Sequence, residues 1–203
     1  MVRGKKQDKD IKKQILQSAL ELFAKFGFKK TAVDEIAKNA RVAKGTIYNY
    51  FQDKDDLVKS AFREELELLF KRLQAKANEN MNSVQKMANV FMEKIKVISE
   101  SPVLLQVWSQ KRNELEYGLE KEREEFDRRE LGLFEEIIKS GNELAVLPVA
   151  DLRELGELFQ NAFRGFEISY FEGCQNWIKE RVEKFTEMTM EGFKKIFMQD
   201  KKK

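Results

Sequence analysis

Apolar residues recur at three- and four-residue intervals along nearly the whole chain, and that spacing predicts helices. Ile11, Ile15, Ala19, Leu22, Phe23 and Phe26 form one stripe, giving a helix over about residues 10–26. Gly27 suits its left-handed cap, and Phe28 the hydrophobic contact that follows. Val33, Ile36, Ala37 and Ala40 mark a second, short helix, with Thr31 as N-cap and Asp34 as a weaker capping-box partner. The run Asn39-Ala40-Arg41-Val42 breaks the pattern and predicts a turn. A third helix over about 43–51 sets Ala43, Ile47 and Phe51 on an inward face.

The pattern continues to the C-terminal region. Asp53, Asp55 and Asp56 favour the start of a fourth helix, which Leu57, Ala61, Phe62, Leu66, Leu69, Phe70 and Leu73 carry to about residue 77. A polar loop over 78–82 precedes a fifth helix, about 83–99, marked by Val84, Met87, Ala88, Phe91, Ile95 and Ile98. Pro102 suits the first turn of a short sixth helix holding Val103, Leu104, Val107 and Trp108. The seventh spans about 113–140; its middle, EKEREEFDRRE, is a solvated face, while Tyr117, Phe126, Leu133, Phe134 and Ile137 point inward. An apolar connector, residues 144–151, leads to an eighth helix over about 151–172 and a ninth over about 176–198. The reading is an all-α chain of about nine helices, with no strand and no repeat, and residues 1–9 as a mobile basic arm.

The outward arc of the third helix carries Lys44, Gly45, Thr46, Tyr48 and Asn49. This set suits a helix laid on DNA: Lys and Tyr for phosphates, Gly for close approach, Thr and Asn for base edges. Spacing alone also fits a plain helical hairpin with a polar outer face. The residues themselves go further. Thr31, Asp34 to Ala37, Val42, Lys44 to Tyr48, Tyr50, Phe51, Lys54, Asp55 and Asp56 form one pattern, with Leu22, Phe23, Gly27 and Phe28 upstream. The segment 11–58 resembles the helix-turn-helix of the TetR (tetracycline repressor) family. Two positions depart from the family pattern: Ala43 replaces a capping Ser or Thr, and Asn39-Ala40-Arg41 replaces a small-residue turn ending in Gly.

The resemblance implies a domain plan and a function. Residues 1–52 would be the arm and a three-helix DNA-binding head; residues 53–203 would be a helical-bundle ligand-binding and dimerisation domain, with the helix at about 53–77 linking the two. DNA contacts would come from Thr31, Lys44, Gly45, Thr46, Tyr48, Asn49, Tyr50 and Lys54. The function implied is a homodimeric transcriptional regulator, a repressor released from a pseudo-palindromic operator by an apolar or amphipathic ligand. The partners are then double-stranded DNA, a second copy of the chain and a small molecule.

Charge fits this plan. Residues 1–60 hold 14 Lys/Arg against 8 Asp/Glu, whereas 61–203 hold 24 against 27, so the positive excess surrounds the motif. The sequence has no His, which removes the commonest general base and the commonest metal ligand. With no nucleophile motif either, the expectation is no enzyme, no catalytic residue, no metal and no cofactor. The single Cys174 and the absence of a long apolar run predict a cytoplasmic chain with no membrane partner, and Cys174 reads as a small buried apolar residue.

Residues 61–203 hold 16 of the 22 aromatic side chains. Most serve the bundle core, and each could equally line a pocket or an interface. The ligand-lining candidates are Phe91, Trp108, Tyr117, Phe134, Phe163 and Phe166, with Glu167 or Arg164 as polar anchor. The wide apolar arcs of the last two helices give interface candidates: Phe159, Phe163, Tyr170, Val182, Phe185 and Thr189. A DNA-binding protein whose body docks another protein, with no small-molecule effector, is the alternative reading.

Overall fold

The computed structural model describes residues 2–108, 118–141, 149–173 and 175–200. Tyr117, Cys174 and most of the connector at 144–151 lie outside them. The helices are α1 (Val2–Lys30), α2 (Val33–Asn39), α3 (Lys44–Tyr48), α4 (Lys54–Ala77), α5 (Ser83–Glu100), α6 (Pro102–Trp108), α7 (Glu120–Ser140), α8 (Val149–Phe171) and α9 (Ile178–Asp200), with a 3₁₀ turn at Gln175–Trp177 before the last. Among the described residues there is no strand. No helix there is long and apolar enough to cross a membrane.

The chain forms two compact units, Met1–Leu68 with Ile98–Arg123, and Leu69–Val97 with Glu124–Lys203. In the first, Ile15, Ala19 and Phe23 of α1 are fully buried. Helix α1 begins at Val2, eight residues before the expected start, so the arm is helical. It breaks at Gly27, whose φ of 80° belongs to the region glycine tolerates best. Phe26 was expected on the inner stripe but is 45% exposed, because the break turns the chain one residue later. Phe28 takes the buried position instead, edge-on to Phe23 at 5.1 Å. Helix α6 closes this unit: the Gln106 amide donates to the Phe23 carbonyl at 3.0 Å, and Ser101 Oγ accepts from Leu104 N at its start. Of the long seventh helix expected over about 113–140, the stretch from Glu120 is described as helix, with a turn at Gly118 (φ 61°) just before it; 113–117 lie outside the described residues.

The second unit is a bundle of α5, α7, α8, α9 and the end of α4. Its centre is a ring cluster. Phe91 and Phe163 lie 4.5 Å apart, Phe134 and Phe163 5.6 Å, Phe159 and Phe163 5.7 Å, and Phe166 and Phe185 5.8 Å. Such pairs each add about 0.5–1.5 kcal/mol beyond the burial of their surface. One turn away lies a buried charged layer. Lys94 on α5, only 2% exposed, meets Glu130 of α7 at 2.6 Å and Glu167 of α8 at 2.5 Å, with the Phe126 ring 5.5 Å from its ammonium. The Gln160 amide donates to Glu130 at 3.2 Å. Three helices are thus tied through one cation.

This layer makes the first prediction. Lys94→Met strands two buried carboxylates and costs about 3–5 kcal/mol in urea denaturation. Adding Glu130→Leu and Glu167→Leu to it recovers most of that loss. A single variant within about 0.5 kcal/mol of wild type, the range of ordinary surface changes, contradicts the assignment.

Candidate nucleic-acid interface

The α2–α3 hairpin is built by backbone geometry as much as by side chains. Ala32, not Thr31, is the N-cap of α2, with extended φ −93° and ψ 147°. Its amide donates to Glu35 Oε2 at 2.9 Å, so Glu35 rather than Asp34 completes that end. The Thr31 hydroxyl points the other way. It is 1% exposed and donates to the Gly27 carbonyl at 2.8 Å, which fastens the α1–α2 corner. Buried there, Thr31 stands apart from the exposed arc of α3.

At the far end of α2 the chain makes a Schellman turn. Val42 N donates to the Ala37 carbonyl at 3.0 Å and Arg41 N to that of Lys38 at 3.2 Å. Arg41 takes the left-handed position with φ 52°, where an L-residue costs about 1–2 kcal/mol. The backbone path is therefore the one a glycine would take, although the residue is an arginine. Gln14 of α1 donates to the Ala40 carbonyl at 2.9 Å and holds the turn to the core.

Helix α3 has only five residues, shorter than the expected 43–51. Ala43 is its N-cap with no capping side chain, and it is exposed rather than inward-facing. Ile47 is 1% exposed and Phe51, beyond the helix end, is 2% exposed. Lys44, Gly45, Tyr48 and Asn49 are exposed and Thr46 is half-buried. A Cβ placed on Gly45 would meet nothing within 4 Å, so packing inside the chain does not require glycine there. The constraint that suits a bare backbone at this point is an approaching partner.

Lys44, Tyr50 and Lys54 around this arc are held by internal acceptors. Lys44 Nζ lies 2.9 and 3.1 Å from the two Asp34 oxygens, and this hydrogen bond and charge hold its pKa above the ordinary lysine value. It is fully charged at neutral pH. Tyr50 donates to Asp8 at 3.1 Å; desolvation and then that carboxylate raise its phenol pKa. Lys54 Nζ donates to the Lys29 carbonyl at 3.1 Å. Asp8 and Asp34, absent from the sequence-based set, thus orient two of its members. The signal for Asp34 was its place in the first turn of α2.

The other candidate sets are placed as follows. Phe91, Phe134, Phe163, Phe166 and buried Glu167 come together in the second unit. Trp108 belongs to the first, 6.1 Å from Phe62 and with the Arg123 guanidinium 3.7 Å from its ring centre. Arg164 pairs with Asp127 at 2.5 Å. Of the interface candidates, Phe159, Phe163 and Val182 are buried within the single chain, while Phe185, Tyr170 and Thr189 are half-buried. Among the described residues, the large apolar side chains that α8 and α9 expose are Leu158 (43%), Ile168 (48%) and Met188 (65%). Among the described residues no group of His, Cys, Asp and Glu could hold a metal.

A turn-linked helix pair with a polar, exposed arc on the second helix defines a helix-turn-helix protein. Residues 15–61 match the model of the family described as bacterial regulatory proteins, tetR family. The chain is 34% identical over 86 residues to the fatty acid metabolism regulator protein of Bacillus subtilis, covering 42% of this chain and 44% of that one. It is 32% identical over 85 residues to the transcriptional repressor KstR2 of Mycolicibacterium smegmatis, covering 42% of each. The chain thus spans less than half the length of these curated relatives, both of them regulators rather than enzymes. The fold agrees over a longer range: the crystal structure of FadR from Bacillus subtilis in complex with stearoyl-CoA matches with TM-score 0.65 at 23% identity, over 88% of this chain and 97% of that one. Residues 15–61 thus match the tetR family of bacterial regulatory proteins, and over the longer range the likeness to FadR is one of fold.

Gly45 and Ile47 separate folding from recognition on one short helix. Gly45→Ala should keep the fold and raise stability by about 0.5–1 kcal/mol, since it replaces glycine inside a helix with open space outside. Its affinity for DNA should fall, because the added methyl stands in the way of the partner. Ile47→Ala should cost about 2–5 kcal/mol as a buried truncation. Thermal unfolding and duplex titration of both variants check this, and a Gly45→Ala protein that binds DNA like wild type would sink the assignment of the arc.

Proposed function

We propose that this protein is a homodimeric, ligand-responsive transcriptional repressor that reads a pseudo-palindromic operator with α3 in the major groove. The observation that carries the reading is the exposed arc Lys44, Gly45, Thr46, Tyr48 and Asn49 over a buried Ile47. Lys44 and Tyr48 then serve phosphates, Thr46 and Asn49 base edges, and Tyr50 and Lys54 flanking phosphates. Residues 1–52 act as the DNA-binding part and 53–203 as the ligand-binding and dimerisation part. Helix α4 continues from one unit into the other, so it is the route by which occupancy of the body reaches the head.

The effector site in this reading lies at Phe91, Phe134, Phe163 and Phe166, with the Lys94–Glu130–Glu167 layer as its polar end. An apolar or amphipathic molecule suits that surround. The stearoyl-CoA of the FadR complex supports a long-chain ligand. The protein works in the cytoplasm, where its operator is.

A dimer is needed because one α3 reads only half of a two-fold site. Its surface in this proposal is the outer face of α8 and α9. Leu158, Ile168 and Met188 are exposed there, and a Cβ on Gly165 or Gly192 would meet nothing within 4 Å. Small residues between apolar ones let a second pair of helices approach closely. The ring cluster built on Phe159 and Phe163 serves the subunit's own core.

Light scattering at micromolar concentration should find a wild-type dimer. Ile168→Glu with Met188→Glu should give a folded monomer whose operator affinity drops toward the nonspecific range of about 10⁻⁴–10⁻⁶ M. A wild-type monomer that still binds a two-fold operator tightly would overturn the dimer.

A further inference from the structure

A second cationic feature of the first unit lies away from the arc of α3. A cavity of about 260 Å³ is lined by Phe28 and Lys29 after the α1 break, by Lys54, Asp55, Val58 and Lys59 of α4, and by Gly118. Among the described lining residues are three lysines and one aspartate, with buried Phe28 and Val58 beside them. Two of the lysines are held in place. Lys54 Nζ donates one hydrogen to the Lys29 carbonyl at 3.1 Å and keeps two further donors. Lys59 folds against Gly118, with its Cε and Nζ each 3.5 Å from where a Cβ at 118 would stand. Gly118 itself has φ 61°, so the turn that lets Lys59 in is one that glycine favours.

We infer that this cavity is a phosphate-binding site. Among the described lining residues three lysines stand against one carboxylate, which suits a phosphate monoester, a group carrying about −1.5 to −2 at neutral pH. The apolar lining and the volume leave room for part of the group that bears it. Ordinary lysine clusters on a helix face are solvated and diverge. Here the lysines come from two separate segments, the end of α1 and the start of α4, and line one concave space. An anion seated there fastens the corner after α1, the first turns of α4 and the Gly118 turn to one another. The phosphate can come from a soluble phosphorylated molecule or from a backbone phosphate of the operator. The soluble source does not depend on the DNA-binding reading, so the two can fail separately.

The test uses the full chain at constant ionic strength, with inorganic phosphate and pyrophosphate as probes in calorimetry. The expected result is saturable binding of one anion per chain. Lys59→Met should weaken it by about tenfold, as loss of one charged contact does, and Lys59→Arg should restore it. Lys29→Met is the second probe if Lys59→Met fails to fold. Operator titration of the same variants names the source. An unchanged salt slope with lost pyrophosphate binding assigns a soluble phosphate. A slope reduced by about one, with weak pyrophosphate binding, assigns an operator phosphate. No saturable anion binding at millimolar concentration, together with an unchanged salt slope, overturns the site.

Discussion

The reading surface depends on the burial of one side chain, Ile47. Helix α3 has five residues, far fewer than the roughly 12–15 that an isolated helix needs in water. It lacks a capping side chain at its start and ends before Asn49. What holds it is Ile47 at 1% exposure, Phe51 at 2%, and the Schellman turn before it. Every exposed group on the arc inherits its position from that packing. The energy that makes the helix and the groups proposed to read DNA therefore lie on opposite sides of the same five residues. This division leaves Gly45 as open backbone that the head's own packing does not require.

Charges in the two units are managed by opposite means. In the first unit, Lys44, Tyr50 and Lys54 rest on Asp34, Asp8 and a carbonyl in exposed or half-exposed settings. Such exposed contacts are worth little energy, so a partner with more charge can exchange them. In the second unit, Lys94 is sealed between Glu130 and Glu167 beside the phenylalanine cluster. Breaking that contact is expensive, and it fixes α5, α7 and α8 against one another. The head keeps its charges exchangeable, and the bundle locks its own.

Sequence reading reached the head well and the bundle coarsely, for physical reasons. The α2–turn–α3 segment is local: its turn, its missing cap and the inward Ile47 all follow from residues within one or two turns. Even there, Thr31 was read as a cap because its hydroxyl suits one, whereas the hydroxyl went to the Gly27 carbonyl behind it. Helix α8 is apolar over a wide arc, so periodicity could not say which side faces the subunit's own core. Phe159 and Phe163 went inward and left Leu158 and Ile168 outside. Glu167 was singled out as a polar anchor, but its layer with Lys94 and Glu130 was not read, since the members lie on three helices, 36 and 37 residues apart in the chain. Its one local sign was a lysine at the spacing of Phe91, Ile95 and Ile98 on the apolar stripe of α5. The cavity around Lys29, Lys59 and Gly118 likewise joins segments that only the fold brings together.

The central claim is that two copies of α3 read one two-fold DNA site. The most direct test is selection of bound duplexes from a random library by the intact protein, followed by sequencing. The account predicts enrichment of a pseudo-palindrome whose half-sites are centred about one helical turn apart, roughly 10–10.5 base pairs, or a multiple of that. Enrichment of a single asymmetric half-site, or none above the input library, would contradict it.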